Sequence, residues 1–285
     1  MVLFGASRAS ATFPGANGRI AFSEYAPYYG IVSVRPNGTD ARQLAAGYSP
    51  SWSADGQSLV YERSPSGSGL ATMREDGTDQ TPIPNTSGGT EPSFAPGGKR
   101  IAYVDSTVKR PGIYTIATDG SARHLVIRGG PFDTPRFSPD GKQIAFAGSP
   151  DGSHQSTVWT VNRDGSGLQM LVKRRQVKAS PETPDWNPDG VHIMFTGEAG
   201  SSATCDCTLY QVRANGSGLH KLFLGGDERP LPVYAPAGDR VAFHYSNELG
   251  CSTIVNASLT GTGIRTVSSD PCGPVGGPTW QPVPR

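Results

Sequence analysis

Five histidines and four cysteines are the side chains in this 285-residue chain best suited to metal binding, proton transfer or redox work. His154 and His244 each follow an alternating apolar run, and with Glu182 or Asp185 they have the donor types of a metal set. A transition ion wants three or more convergent ligands at about 2.0–2.2 Å, while Ca²⁺ would take oxygens such as those of Glu91, Asp133 or Glu182. A divalent metal (Ca, Mn or Zn) is therefore the one cofactor the residues leave open, with no ligand set assigned. His124, His192 and His220 fall inside alternating runs and read as ordinary strand positions. Cys251 and Cys272 stand 10 and 11 residues from Gly261, so a hairpin about that glycine would set them opposite each other for a disulfide. Cys205 and Cys207 flank Asp206 and can pair, remain thiols or bind metal. A stapled hairpin favours an oxidising compartment.

No nucleophile elbow of the Gly-x-Ser-x-Gly type and no His-Glu-x-x-His pair occurs. Gly98-Lys99-Arg100 lacks the Ser or Thr of a phosphate loop. No catalytic residue is assigned. With Lys+Arg 25 against Asp+Glu 24, the net charge of +1 offers nothing global to nucleic acid or an anionic membrane. The apolar stretch Val2 to Ala6 is far below the roughly 20 residues of a spanning helix. Ala9-Ser10-Ala11 has the small-x-small form of a signal-peptidase site, and residues 1–12 are read as the remainder of a signal or a disordered terminus.

The elements that must carry these side chains repeat. PSWSADGQSLVY (50–61), PSFAPGGKRIAY (92–103), PRFSPDGKQIAF (135–146), PDWNPDGVHIMF (184–195) and PVYAPAGDRVAF (232–243) share one template. In each, an aromatic lies nine residues before a second with a glycine turn between, the spacing of a tight hairpin. Further hairpins turn at PNG (36–38), EDG (75–77), TDG (118–120), RDG (163–165), ANG (214–216) and LTG (259–261). Four strands per unit follow. The first aromatics, Trp52, Phe94, Phe137, Trp186, Tyr234 and Trp280, are 42, 43, 49, 48 and 46 residues apart, a propeller-blade period. The expected fold is all-β: a six-bladed β-propeller of four-stranded antiparallel blades.

Pro278-Thr279-Trp280 begins a sixth copy with five residues after it, while Arg19 to Phe22 starts a unit at its second strand. The C-terminal strand is therefore expected to close the ring against N-terminal strands. Phe13, nine residues before Phe22, competes for that place but would leave Trp280 without a blade. Pro50, Pro92, Pro135, Pro184, Pro232 and Pro278 each precede the first aromatic by two residues. Proline donates no ladder hydrogen bond, so these positions belong on the free edge of the innermost strand, along the central channel. Residues 13–285 are expected to form one propeller domain.

These PxWSPDG-type hairpins followed by xDG turns resemble the TolB-like propeller repeat family, a relative of WD-type propellers found in bacterial extracytoplasmic proteins. The resemblance covers residues 13–285 and implies a secreted or periplasmic protein. Such propellers serve as protein-binding modules, as gating domains and occasionally as enzymes, so fold alone does not assign a role.

Because the two turn classes are nearly constant in length, variation falls in the loops of the opposite face, chiefly 148–157, 173–182 and 197–208. Functional loops sit on such a frame. The expected binding residues are Glu91, Asp133, Arg136, Glu182 and Asp185 near the channel mouth, with His154, Arg229, His244 and Tyr245 farther out. Lys173, Arg174, Arg175 and Lys178 are the one local basic excess and read as a solvated loop. The leading function is non-catalytic binding of a protein, peptide or envelope polysaccharide by a monomer, without nucleic acid or a membrane span. The alternative is a metal-assisted lyase or hydrolase of acidic saccharides, with His154 or His244 as base or ligand.

Overall fold

A computed structural model describes residues 13–24, 30–64, 68–107, 109–150, 156–177, 181–198, 207–226, 230–246, 252–268 and 276–284. The strands β1 (Ala16–Glu24), β2 (Gly30–Val34) and β3 (Arg42–Ala45) form most of blade 1. Blade 2 is β4 (Gly47–Trp52), β5 (Ser58–Arg63), β6 (Leu70–Arg74) and β7 (Thr81–Pro82). Blade 3 is β8 (Gly89–Phe94), β9 (Arg100–Asp105), β10 (Gly112–Ala117) and β11 (His124–Arg128), and blade 4 is β12 (Phe132–Phe137), β13 (Gln143–Gly148), β14 (Thr157–Asn162) and β15 (Gln169–Met170). A single 3-10 turn (Arg174–Gln176) precedes blade 5, which is β16 (Glu182–Trp186), β17 (His192–Glu198), β18 (Cys207–Arg213) and β19 (His220–Gly226). Blade 6 is β20 (Val233–Tyr234), β21 (Arg240–Ser246), β22 (Ser252–Ser258) and β23 (Arg265–Thr266), and β24 (Thr279–Val283) ends the series. All six sheets are four-stranded, and the first has the order β24-β1-β2-β3.

The ring closes as the repeat predicts. β24 runs antiparallel to β1, with Trp280 opposite Ile20 and Thr279 opposite Ala21. Gln281 locks the seam: its amide donates to Gly56 O at 2.7 Å and to Glu75 Oε2 at 2.8 Å, and its Oε1 accepts from Arg19 N at 3.0 Å. Gly56 must be glycine here, because its φ is +68° and a Cβ would lie 2.1 Å from Pro282 O. Phe13 does not take the strand position. Its side chain is buried instead among Val60, Phe94 and Tyr103, against the channel wall.

Alternation along each strand sends one row of side chains into each gap between blades, and six apolar clusters fill the six gaps. Trp280 and Phe22 of blade 1 pack with Ala242 and Ile254 of blade 6, and Trp52 of blade 2 packs with Ile31 of blade 1. Trp186 of blade 5 packs with Val158 of blade 4. Burying such aromatics between layers contributes much of the cohesion of the ring.

The recurrent Asp and Asn turns are also explained locally. Asp76 Oδ1 accepts from Thr78 N and Oγ1 at 3.0 and 2.6 Å, and Asn37 and Asn215 make the same pair of contacts with Thr39 and Ser217. These side-chain hydrogen bonds hold Asp76, Asp119 and Asp164 below the ordinary carboxylate range. The turn aspartates are thus structural devices that tie each hairpin.

Candidate functional site: the channel mouth

The prolines do line the central channel. Pro50, Pro92, Pro184, Pro232 and Pro278 border a cavity of about 150 Å³ together with Glu91, Arg136, Asp185 and the first aromatics Trp52, Phe94, Phe137 and Trp280. Each inner strand is irregular at its proline. The residue just before it lies in the left-handed region in five blades: Ser49 (φ 49°), Glu91 (54°), Thr134 (44°), Thr183 (51°) and Leu231 (41°). The ladder slips there, between Tyr48 and Ser51, Thr90 and Ser93, Asp133 and Arg136, and Glu182 and Asp185. A β-branched or bulky residue at positive φ is costly, on the order of 1–3 kcal/mol, and persists only where surrounding structure enforces it. Here the enforcing element is the neighbouring blade: Ser49 N donates to Ser23 Oγ at 3.0 Å and Glu91 N to Glu62 Oε1 at 2.9 Å.

Residues just after the prolines bind one inner strand to the next. Ser93 Oγ donates to Pro135 O at 2.7 Å. Asp185 Oδ2 accepts from Tyr234 N at 2.8 Å, and Thr279 Oγ1 accepts from Trp52 N at 3.4 Å. Asp185 is 5% exposed, so its carboxylate serves this girdle as well as facing the channel.

Between blades 2 and 4 the mouth is acidic. Burial and then the Asp133 carboxylate push the Glu91 carboxyl up to about 8, with Arg136 opposing and Glu62 adding to the rise. Two buried polar atoms of the same wall, Thr134 Oγ1 and Trp52 Nε1, have no partner among the described residues. The indoles of Trp186 and Trp280 are satisfied by Arg136 O and Gly18 O, both at 3.1 Å. Unsatisfied buried polar atoms are uncommon in folded proteins.

The expected site residues separate into groups. Glu91, Asp133 and Arg136 come together, joined by Glu62, which stands at an ordinary strand position and had no sequence signal. Glu182 begins β16 half-buried, and Asp185 belongs to the girdle. His244 is buried in β21, and Tyr245 packs partly against the core between blades 5 and 6. His154, Arg229, Cys205, Cys251 and Cys272 lie outside the described residues, as does the side chain of Cys207. Lys178 and the side chain of Arg174 lie outside them too, while Lys173 and Arg175 are exposed. Among the described residues no three His, Cys, Asp or Glu side chains are placed to hold a metal ion. Among them, too, no helix is long and apolar enough to cross a membrane.

A family model for the TolB beta propeller domain matches residues 69–284. The Tol-Pal system protein TolB of Francisella tularensis is 30% identical over 243 residues, 82% of this chain and 54% of that protein. The chain thus spans about half the length of the curated relatives it matches. In fold it is similar to the crystal structure of TolB from Acinetobacter baumannii, with a TM-score of 0.78 at 18% identity, covering 93% of this chain and 67% of that one. It is also similar to an oligogalacturonate lyase from Vibrio parahaemolyticus, with a TM-score of 0.56 at 10% identity, covering 92% and 78%.

Proposed function

The chain belongs to the TolB β-propeller family, and from that premise we propose that it is a secreted or periplasmic, non-catalytic binding protein whose channel mouth grips an extended protein or peptide segment presenting a basic side chain. Residues 13–285 act in this reading as one propeller domain. The observation that carries the proposal is the carboxylate group Glu62, Glu91 and Asp133, in which Glu62 accepts from Glu91 N at 2.9 Å and burial, then the Asp133 carboxylate, raise the Glu91 carboxyl against the single opposing charge of Arg136. A lysine or arginine of a ligand would supply further positive charge to this group.

Binding would then release a proton, because a cation beside Glu91 favours its carboxylate, and affinity would rise as pH rises towards 8. The test is to pan a random peptide library against the full chain and titrate the selected peptides calorimetrically in buffers of different ionisation enthalpy. Peptides carrying Lys or Arg, binding with proton release and at least about tenfold more weakly to Glu91→Gln/Asp133→Asn, would support the reading. Selected peptides without basic residues, or unchanged affinity in the double variant, would overturn it.

A metal-assisted lyase of acidic saccharides is the second reading, motivated by the similarity in fold to an oligogalacturonate lyase. Metal analysis and an unsaturated-product assay on acidic oligosaccharides with added Mn²⁺ would decide it. Activity abolished by Glu91→Gln would displace the binding reading.

A further inference from the structure

At the seam between blades 6 and 1, on the hairpin-turn face away from the variable loops, a groove of about 520 Å³ is lined by Arg19, Arg35, Arg240 and Arg265 and by no carboxylate among the described residues. Arg19 and Arg35 lie at the same end of the antiparallel β1–β2 pair, next to Ile20 and Val34, which are opposite each other, and Arg240 and Arg265 open β21 and β23. One carboxylate serves the blade 1 side: Asp40 accepts Arg19 and Arg42 at 2.8 and 2.9 Å and reaches Arg35 only at 3.4 Å. Its carboxyl is held below the ordinary range by Arg42 and Arg19, a sign that its charge is already committed.

On the blade 6 side Asn256, 2% exposed, fixes Arg240 by accepting its Nε at 2.8 Å, while its own amide donates to Pro36 O of blade 1 at 2.7 Å. Arg240 also donates to Gly263 O at 2.8 Å. The Arg265 guanidinium makes no hydrogen bond or ion pair with any described residue, and Arg265 is exposed, as is Arg35, whose side chain is 61% exposed. Five arginines here, Arg42 included, face Asp40 and the nearby Asp239, which takes Asn17 Nδ2 at 3.4 Å. That leaves an excess of three positive charges in a chain whose net charge is +1.

Guanidinium groups cannot relieve such repulsion by losing protons, so a bound anion would lower the energy of the cluster. Planar donors facing each other across an open groove, two of them with unspent N–H groups, match the oxygens of phosphate or carboxylate in bidentate fashion. We infer that the seam between blades 6 and 1 is an oxyanion-binding site that takes a phosphate-class ligand bearing two or more negative charges. It is independent of the channel mouth. The same group can arrive as a free anion or as a lipid headgroup.

The experiment titrates the full chain with sodium pyrophosphate at constant ionic strength, by calorimetry, and in parallel measures sedimentation with vesicles of neutral lipid containing phosphatidic acid. Arg35→Gln/Arg265→Gln changes two exposed side chains and should fold. We expect pyrophosphate to bind with a dissociation constant below about 1 mM and at least about tenfold more weakly to the double variant. Binding to the acidic vesicles alone, lost in the double variant and competed by neither chloride nor acetate, identifies the headgroup as the source and also supports the site. Failure of both probes to bind, or equal binding by the double variant, overturns it. Glu91→Gln/Asp133→Asn should leave the pyrophosphate titration unchanged, which separates this site from the mouth.

Discussion

The channel mouth and the seam groove lie on opposite faces of one ring and are built by opposite logics. The mouth takes its residues from equivalent positions of successive blades: the residue before the proline, the residue after it, and the end of the neighbouring second strand. In the groove Arg19 and Arg240 share one template position, just before the apolar run of the second strand, and Arg35 and Arg265 join them only where the last blade meets the first. Repetition therefore makes a site with rotational order, in which one blade departs from the others by a side chain at a shared position. Closure makes a site at the one junction where residues from the two ends of the chain adjoin. Charge follows the same division, acidic at the mouth and basic at the seam.

The deepest cut at this comparison is through closure, on which the seam depends directly. Deleting residues 277–285 removes β24 and exposes the inner edge of blade 1, and we expect no soluble product or a collapse of the melting temperature. The milder Trp280→Ala should cost about 3–5 kcal/mol in denaturant unfolding, since the indole is 4% exposed within the apolar cluster between blades 6 and 1. If the deletion melts like the intact chain, closure by β24 is refuted and the groove loses its basis.

Next in size is Gly56→Ala, which forces a Cβ towards Pro282 O at a positive φ and should cost about 2–3 kcal/mol in the same measurement. Gly98→Ala, in the equivalent hairpin of blade 3, also has a positive φ (66°) but meets nothing within 4 Å. A smaller loss there would isolate the contribution of the closing strand from that of backbone strain.

At the mouth, Asp185→Ala leaves the buried Tyr234 N without its acceptor and should destabilise by about 1–3 kcal/mol, with Asp185→Asn recovering part of the loss. Equal melting of all three proteins would remove the girdle as a source of cohesion.

The smallest and most specific effect belongs to Glu91. Its folded carboxyl titrates at about 8 against an ordinary 4.5, so the folded chain keeps a proton that the unfolded chain releases. Stability attributable to this group therefore declines as pH rises from 4.5 to 8 and is level beyond. Glu91→Gln, which mimics the protonated form, should melt close to the parent at pH 4.5 and be more stable by about 1–2 kcal/mol at pH 9. A pH-independent difference between the two proteins would show that the carboxylates do not couple.

Much of the architecture was legible because a propeller blade is a local object. The paired aromatics nine residues apart, the glycine turns and the prolines are all set by hairpin geometry within about 40 residues, and each blade writes the pattern again. Even closure could be read, since Trp280 repeats the first aromatic and lacks the strands to go with it. The mouth was legible in part. Glu91, Asp133 and Arg136 flank prolines whose place along the channel follows from their missing N–H, whereas Glu62 enters only through its hydrogen bond to Glu91 N. His244 looked accessible at the end of an alternating run, yet β21 continues through Ser246 and holds it inside.

Sequence by itself determined the number of blades, their strands, the turn chemistry and the closing partner, because these depend on periodicity and on residues close along the chain. Tertiary structure alone decided where charge collects. Lys173 to Lys178 were the obvious basic run, but Arg19, Arg35, Arg240 and Arg265 are scattered across some 246 positions and meet only when the ring closes. Electrostatic interaction depends on distance through space and on the burial of the groups, and neither quantity is written in the order of the residues. The same holds for Phe13, whose nine-residue spacing matched a strand position that Trp280 occupies, and whose ring is buried in the wall of the channel instead.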